Sequence, residues 1–107
     1  MKYSQKLVER SQEIVQKVKE AESLNKPIEN LVREQIAIME CQKDEFVKQA
    51  DSLGIDELDK ARVEIQIYSN IKFWAKKIGL PVDKYDESIK QIQKRIFGDE
   101  NCKKFFG

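Results

Sequence analysis

DELDKARVEIQIYSNIKFWAKKIG, residues 56–79, carries apolar residues around more of its circumference than a surface helix uses. Leu58, Ala61, Ile65, Tyr68 and Ala75 form one stripe at helical spacing, and Val63, Ile67, Ile71, Trp74 and Ile78 form a second. At about 100° per residue the stripes lie side by side and together cover more than half the helix. One stripe suffices for a helix whose other face is wet. The second predicts neighbours on two sides, from this chain or from a partner. Asp56 stands where a carboxylate caps the free N–H groups of a first turn, Glu57 and Asp59 suit the positive end of the helix dipole, and Lys76 and Lys77 suit the negative end. Gly79 supplies a left-handed stop, with Leu80 as its hydrophobic partner. The run VEIQIYS alternates briefly like a strand, but the spacing on both sides of it is helical, so the whole stretch reads as helix.

Before this helix, a broad apolar face runs through Ile28, Leu31, Val32, Ile36, Ile38, Met39, Phe46, Val47, Ala50 and Leu53, predicting a helix over 27–53 with Pro27 at its first position. Gln35 and Gln42 fall inside that face and need polar partners if buried. Upstream, Leu7, Ile14, Val18 and Ala21, with Val8 and Val15 at the margin and Ser11 within the stripe, predict a helix over 4–23, with Tyr3 on the side of Leu7. Gly54 and Ile55 repeat the Gly79 and Leu80 stop. Downstream, Val82, Tyr85, Ile89, Ile92 and Ile96 mark a short fourth helix ending before Gly98. Residues 1–98 therefore read as one all-α domain, a compact antiparallel bundle of four helices, and 99–107 as a C-terminal tail ending in Phe105 and Phe106, docked or free.

The chain has 107 residues, 40% hydrophobic and 36% charged, with only 4 Gly and 2 Pro, a composition that suits one soluble helical domain. Its net charge of +1 gives no bulk attraction to nucleic acid or to an anionic membrane. No apolar run approaches the roughly 18 residues of a membrane span, so a cytoplasmic, non-membrane protein is expected. Cys41 and Cys102 read as reduced thiols, with a tail-to-core disulfide as the alternative. Histidine is absent, which removes the common zinc sites and the His-activated nucleophiles.

Chemistry-bearing patterns are few. Glu40 with Asp44, and Asp56 with Asp59, share helix faces as a paired-carboxylate site requires, but lysines at similar spacings make them a solvated charged face. Neither a phosphate-cradling glycine loop nor a nucleophile elbow occurs. No cofactor, metal or catalytic residue is expected. Lys72, Lys76 and Lys77 around Phe73 and Trp74 form a pattern on which a nucleic-acid base can stack; near-neutral charge and scarce arginine count against it. Phe73 falls on the polar side of its helix, near Gln66, Ser69, Asn70 and Lys77, and aromatic anchors dominate protein interfaces. The function expected is thus a non-enzymatic protein-binding module of inhibitor, immunity or adaptor type, contacting its partner through Phe73, Lys77, Asn70, Phe105 and Phe106. The alternatives are a homodimer burying the second and third helices, and a nucleic-acid binder using the lysine and aromatic patch.

Overall fold

A computed structural model describes the backbone of residues 5–106 and the side chains of 5–96; Tyr3 and the side chains of Cys102, Phe105 and Phe106 lie outside the described residues. Four helices follow in order, α1 (Gln5–Ser23), α2 (Glu29–Ala50), α3 (Glu57–Lys77) and α4 (Asp83–Phe106). No strand occurs among the described residues. Each helix packs on the next in sequence: α1 on α2, α2 on α3, α3 on α4. Successive helices are antiparallel: partners run in opposite order along α2 and α3, from Asp51 with Lys60 to Lys43 with Tyr68, and along α3 and α4, from Lys72 with Asp86 to Glu64 with Arg95, and the short α1–α2 connection turns that pair back in the same way.

All three tight connections stop their helices by one device. After α3, the Gly79 N–H donates to the Lys76 carbonyl (3.2 Å) and the Leu80 N–H to the Ala75 carbonyl (3.0 Å), with Gly79 at φ 72°. After α2, Gly54 donates to Asp51 (3.2 Å) and Ile55 to Ala50 (3.0 Å). This pair of bonds satisfies carbonyls that a helix end leaves free. The same pattern closes α1, where Asn25 donates to Glu22 (3.2 Å) and Lys26 to Ala21 (2.8 Å), with Asn25 itself at φ 55°. Asparagine tolerates this conformation better than other side chains. The α2 stop also corrects the expected helix end: residues 51–54 form the turn, so Leu53 leaves the apolar face and stands 55% exposed. At the start of α3, Asp56 caps the helix by accepting from the Asp59 N–H at 2.8 Å. Beyond Gly98, which has φ 74° and ψ 167°, helical backbone resumes through the segment read as a tail.

The chain itself meets the need for neighbours on two sides of α3. One apolar cluster joins Ile14 and Val18 of α1, Val32, Ile36 and Ile38 of α2, Ile71, Trp74 and Ala75 of α3, and Tyr85 of α4, with Ile67 and Ile78 packed against it. Leu58, placed in the first stripe by spacing, lies in the first turn of α3 and is 38% exposed. Gln35, the amide flagged within the α2 face, is 2% exposed and accepts from the Ser11 hydroxyl at 3.0 Å. Ser11 and Gln35 thus satisfy each other across the α1–α2 seam.

Beside them the Arg10 guanidinium forks onto both Glu34 oxygens (2.5 and 2.7 Å) and also meets Glu13 at 3.0 Å. The Arg10 hydrogen bond holds the Glu34 carboxyl below its ordinary 4.5, and Lys17 first, then Arg10, do the same for Glu13. Across α3–α4, the Lys72 hydrogen bond lowers Asp86 below 3.8. A carboxyl lowered on folding stabilises the fold above its ordinary value, and that contribution is lost as pH falls through the lowered one. Thermal stability is therefore expected to fall with pH below about 4.5. The fall should be shallower in Arg10→Gln, a difference that melting curves across an acid series will read.

Candidate functional site

Phe73 and Trp74 occupy successive positions on α3, and a helix turns them to different sides. Trp74 points inward and is 8% exposed, while Phe73 points outward and is 60% exposed. Their ring centroids lie 5.9 Å apart with the planes at 85°, an edge-to-face contact. One turn on, the Lys77 ammonium lies 5.1 Å from the Phe73 centroid and 5.9 Å from that of Trp74. The same ammonium donates to Glu22 at the end of α1, at 3.4 Å. Lys77 thus ties α3 to α1 and lies over Phe73 in doing so. Attraction between a cation and an aromatic face is worth about 0.5–1 kcal/mol at exposed sites, and here it helps to hold an outward-facing ring in one orientation. On the flank of Phe73, the Asn70 carbonyl oxygen accepts from the Gln66 amide at 3.1 Å. The structure thus brings Phe73, Lys77 and Asn70 onto one stretch of α3, whereas Phe105 and Phe106 lie outside the described side chains.

The three lysines of this region differ in their bonding. Lys72 pairs with Asp86 of α4 and Lys77 with Glu22 of α1. Lys76 is exposed and makes no hydrogen bond or ion pair among the described residues.

A second feature was not visible in the sequence. Because α2 and α4 both pack on α3 and not on each other, a groove runs between them over α3. Tyr85, 6% exposed, crosses it and donates its hydroxyl to Glu40 at 2.7 Å. Burial first, and the Glu40 hydrogen bond second, push the Tyr85 phenol well above its ordinary value, so it remains a protonated donor. Lys84 lies 4.9 Å over the Tyr85 ring and Lys43 lies 5.5 Å over Tyr68. The two tyrosine rings are 6.2 Å apart. At the Leu80 end the groove widens into an open depression of about 380 Å³ bordered by Arg33, Pro81 and Lys84. Tyr85 appears in the sequence only as one member of an apolar stripe, and its pairing with a residue far back in the chain leaves no local signal.

The carboxylates considered for chemistry are engaged separately: Glu40 with Tyr85, Asp44 with Lys43 at 2.8 Å, and Asp56 with the α3 cap. That hydrogen bond to Asp44 raises the Lys43 ammonium above its ordinary value. Among the described residues no three His, Cys, Asp or Glu side chains gather as a metal would need, and no helix is long and apolar enough to cross a membrane. Cys41 is exposed on α2 and is not disulfide-bonded among the described residues. No family model, curated protein or solved structure matches this chain.

Proposed function

We propose that the protein is a non-catalytic helical binding module that acts by occupying a protein partner, as an inhibitor, immunity factor or adaptor does. Phe73 is its anchor, with Lys77 and Asn70 as the polar surround. The observation that carries this reading is the 60% exposure of a ring that neighbouring groups hold in place. A flexible side chain loses about 0.5–1.5 kcal/mol of ordering free energy when an interface immobilises it. Phe73 is already oriented before a partner arrives, so less of that cost opposes binding. Aromatic anchors of this kind supply most of the binding energy of many interfaces.

The two alternatives draw less support. The apolar arcs that suggested a side-by-side dimer of α2 and α3 are occupied by α1 and α4 of the same chain. A phosphate backbone needs several available cations, and two of the three lysines near Phe73 already face carboxylates.

A photo-crosslinking side chain placed at position 73 in the native host tests the proposal, with the exposed Gln12 position as control. Position 73 is expected to give a discrete protein adduct that Gln12 does not. Adducts to nucleic acid, the same adducts from both positions, or no adduct from position 73 would overturn the proposal.

A further inference from the structure

We infer that the chain associates head to tail with a second copy of itself, the acidic α2–α3 turn of one copy docking on the basic Phe73 end of the next. The inference rests on the reading of Phe73 as a contact residue and names one partner for it. Among the described residues, four large apolar side chains stand exposed: Leu24 at 63%, Leu53 at 55%, Leu58 at 38% and Phe73 at 60%. They sort into two patches at opposite ends of α3. Leu53 and Leu58 flank the α2–α3 turn. Phe73 stands one turn before Lys77, whose partner Glu22 is followed closely by Leu24.

The charges around the two patches are opposite. Residues 51–59, DSLGIDELD, hold Asp51, Asp56, Glu57 and Asp59 and no cation. Residues 72–80, KFWAKKIGL, hold Lys72, Lys76 and Lys77 and no anion, and Lys26 follows Leu24. In-chain pairing offsets part of this contrast, since Lys72 faces Asp86 and Lys77 faces Glu22, and leaves it standing only at the edges. Asp51 and Asp59 reach Lys60 and Arg62 only at 3.8 Å, and Glu57 and Lys76 make no hydrogen bond or ion pair among the described residues. The α3 dipole explains acid at one end and base at the other. It does not explain why leucines and a phenylalanine stand out of the core at those same ends, when Ile78 and Leu80 nearby fold into it.

Matching either patch with its own copy would set like charge against like, which opposes association. Matching acidic tip to basic end joins opposite charges around apolar centres. Such a contact uses different surfaces on its two sides, so it leaves one free end of each kind and growth continues past the dimer unless a ring closes. With only a few residues on each side, the contact is much smaller than a standard interface. Association is therefore concentration-dependent rather than permanent.

Sedimentation of the pure full chain over a concentration series at low and high salt tests this. The average mass should rise with concentration past that of a dimer, and salt should reduce the rise. Phe73→Asp and Leu53→Asp change exposed residues and each block one end, so each variant alone should associate at least about tenfold more weakly than wild type. Mixed in equal amounts, they should form a one-to-one pair and stop, because each keeps the end the other lacks. A wild-type chain that stays monomeric at low salt to its solubility limit would overturn the inference, as would a mixture no better associated than its components. If the pure chain is monomeric while position 73 still crosslinks to a different protein in the host, self-association fails and the binding proposal stands.

Discussion

Trp74→Ala is expected to lower the unfolding free energy by about 3–5 kcal/mol, while Phe73→Ala, one position earlier, changes it by no more than about 0.5 kcal/mol. Trp74 is 8% exposed and belongs to the cluster that joins all four helices. Truncating it removes apolar contacts and leaves a cavity whose walls come from several elements, so no single side chain can relax to fill it. The change also takes away the ring edge against Phe73 and one face beneath the Lys77 ammonium. Phe73 covers little buried surface, so its loss mainly concerns whatever docks on it. Urea denaturation of the two variants, followed by helical signal, separates these roles. Equal losses would place residue 73 in the core and would remove the proposed contact surface.

Phe46→Ala is expected to cost a similar amount, about 3–5 kcal/mol, for a different reason. Phe46 is 2% exposed yet lies outside the main cluster. α1 begins little more than one turn before the Arg10–Glu34 tie, so it runs beside only the first half of α2. In the uncovered half, the other buried apolar residues of α2 and α3 are Ala50 and Ala61, both small. Phe46 therefore supplies most of the buried apolar volume that α2 and α3 share there, and two alanines cannot close the space it would leave. Chemical denaturation reads the effect; a loss under about 1.5 kcal/mol would mean that this half of the hairpin contributes little to stability.

The helices, their order and the α3 boundaries were legible because each rests on local chemistry. Periodicity placed the faces, Asp56 placed the cap, and Gly54 and Gly79 placed two stops. Asn25 makes the third stop with the same bonds, but asparagine occurs in many settings, and its left-handed backbone became clear only from the Lys26 to Ala21 hydrogen bond. Leu53 and Leu58 were assigned to buried faces because spacing reports direction and not whether a neighbour extends that far. At the candidate site, the outward position of Phe73 followed from the helical wheel alone. The Lys77 bridge to Glu22 and the Tyr85 bond to Glu40 did not, since each joins residues distant in the chain whose meeting depends on how the helices pack. Ser11 and Gln35 were intermediate: each stood out as a polar residue within an apolar face, and the fold paired them.

Packing of each helix on its sequence neighbour has a kinetic consequence. Every major helix interface is closed by a tight turn of a few residues, so no long loop must be ordered before its contacts form. A topology dominated by such local contacts folds at the fast end of the range for small domains, microseconds to milliseconds. The chain can assemble as successive hairpins, α1 on α2, then α3, then α4, and each new helix meets an apolar surface already in place as it arrives.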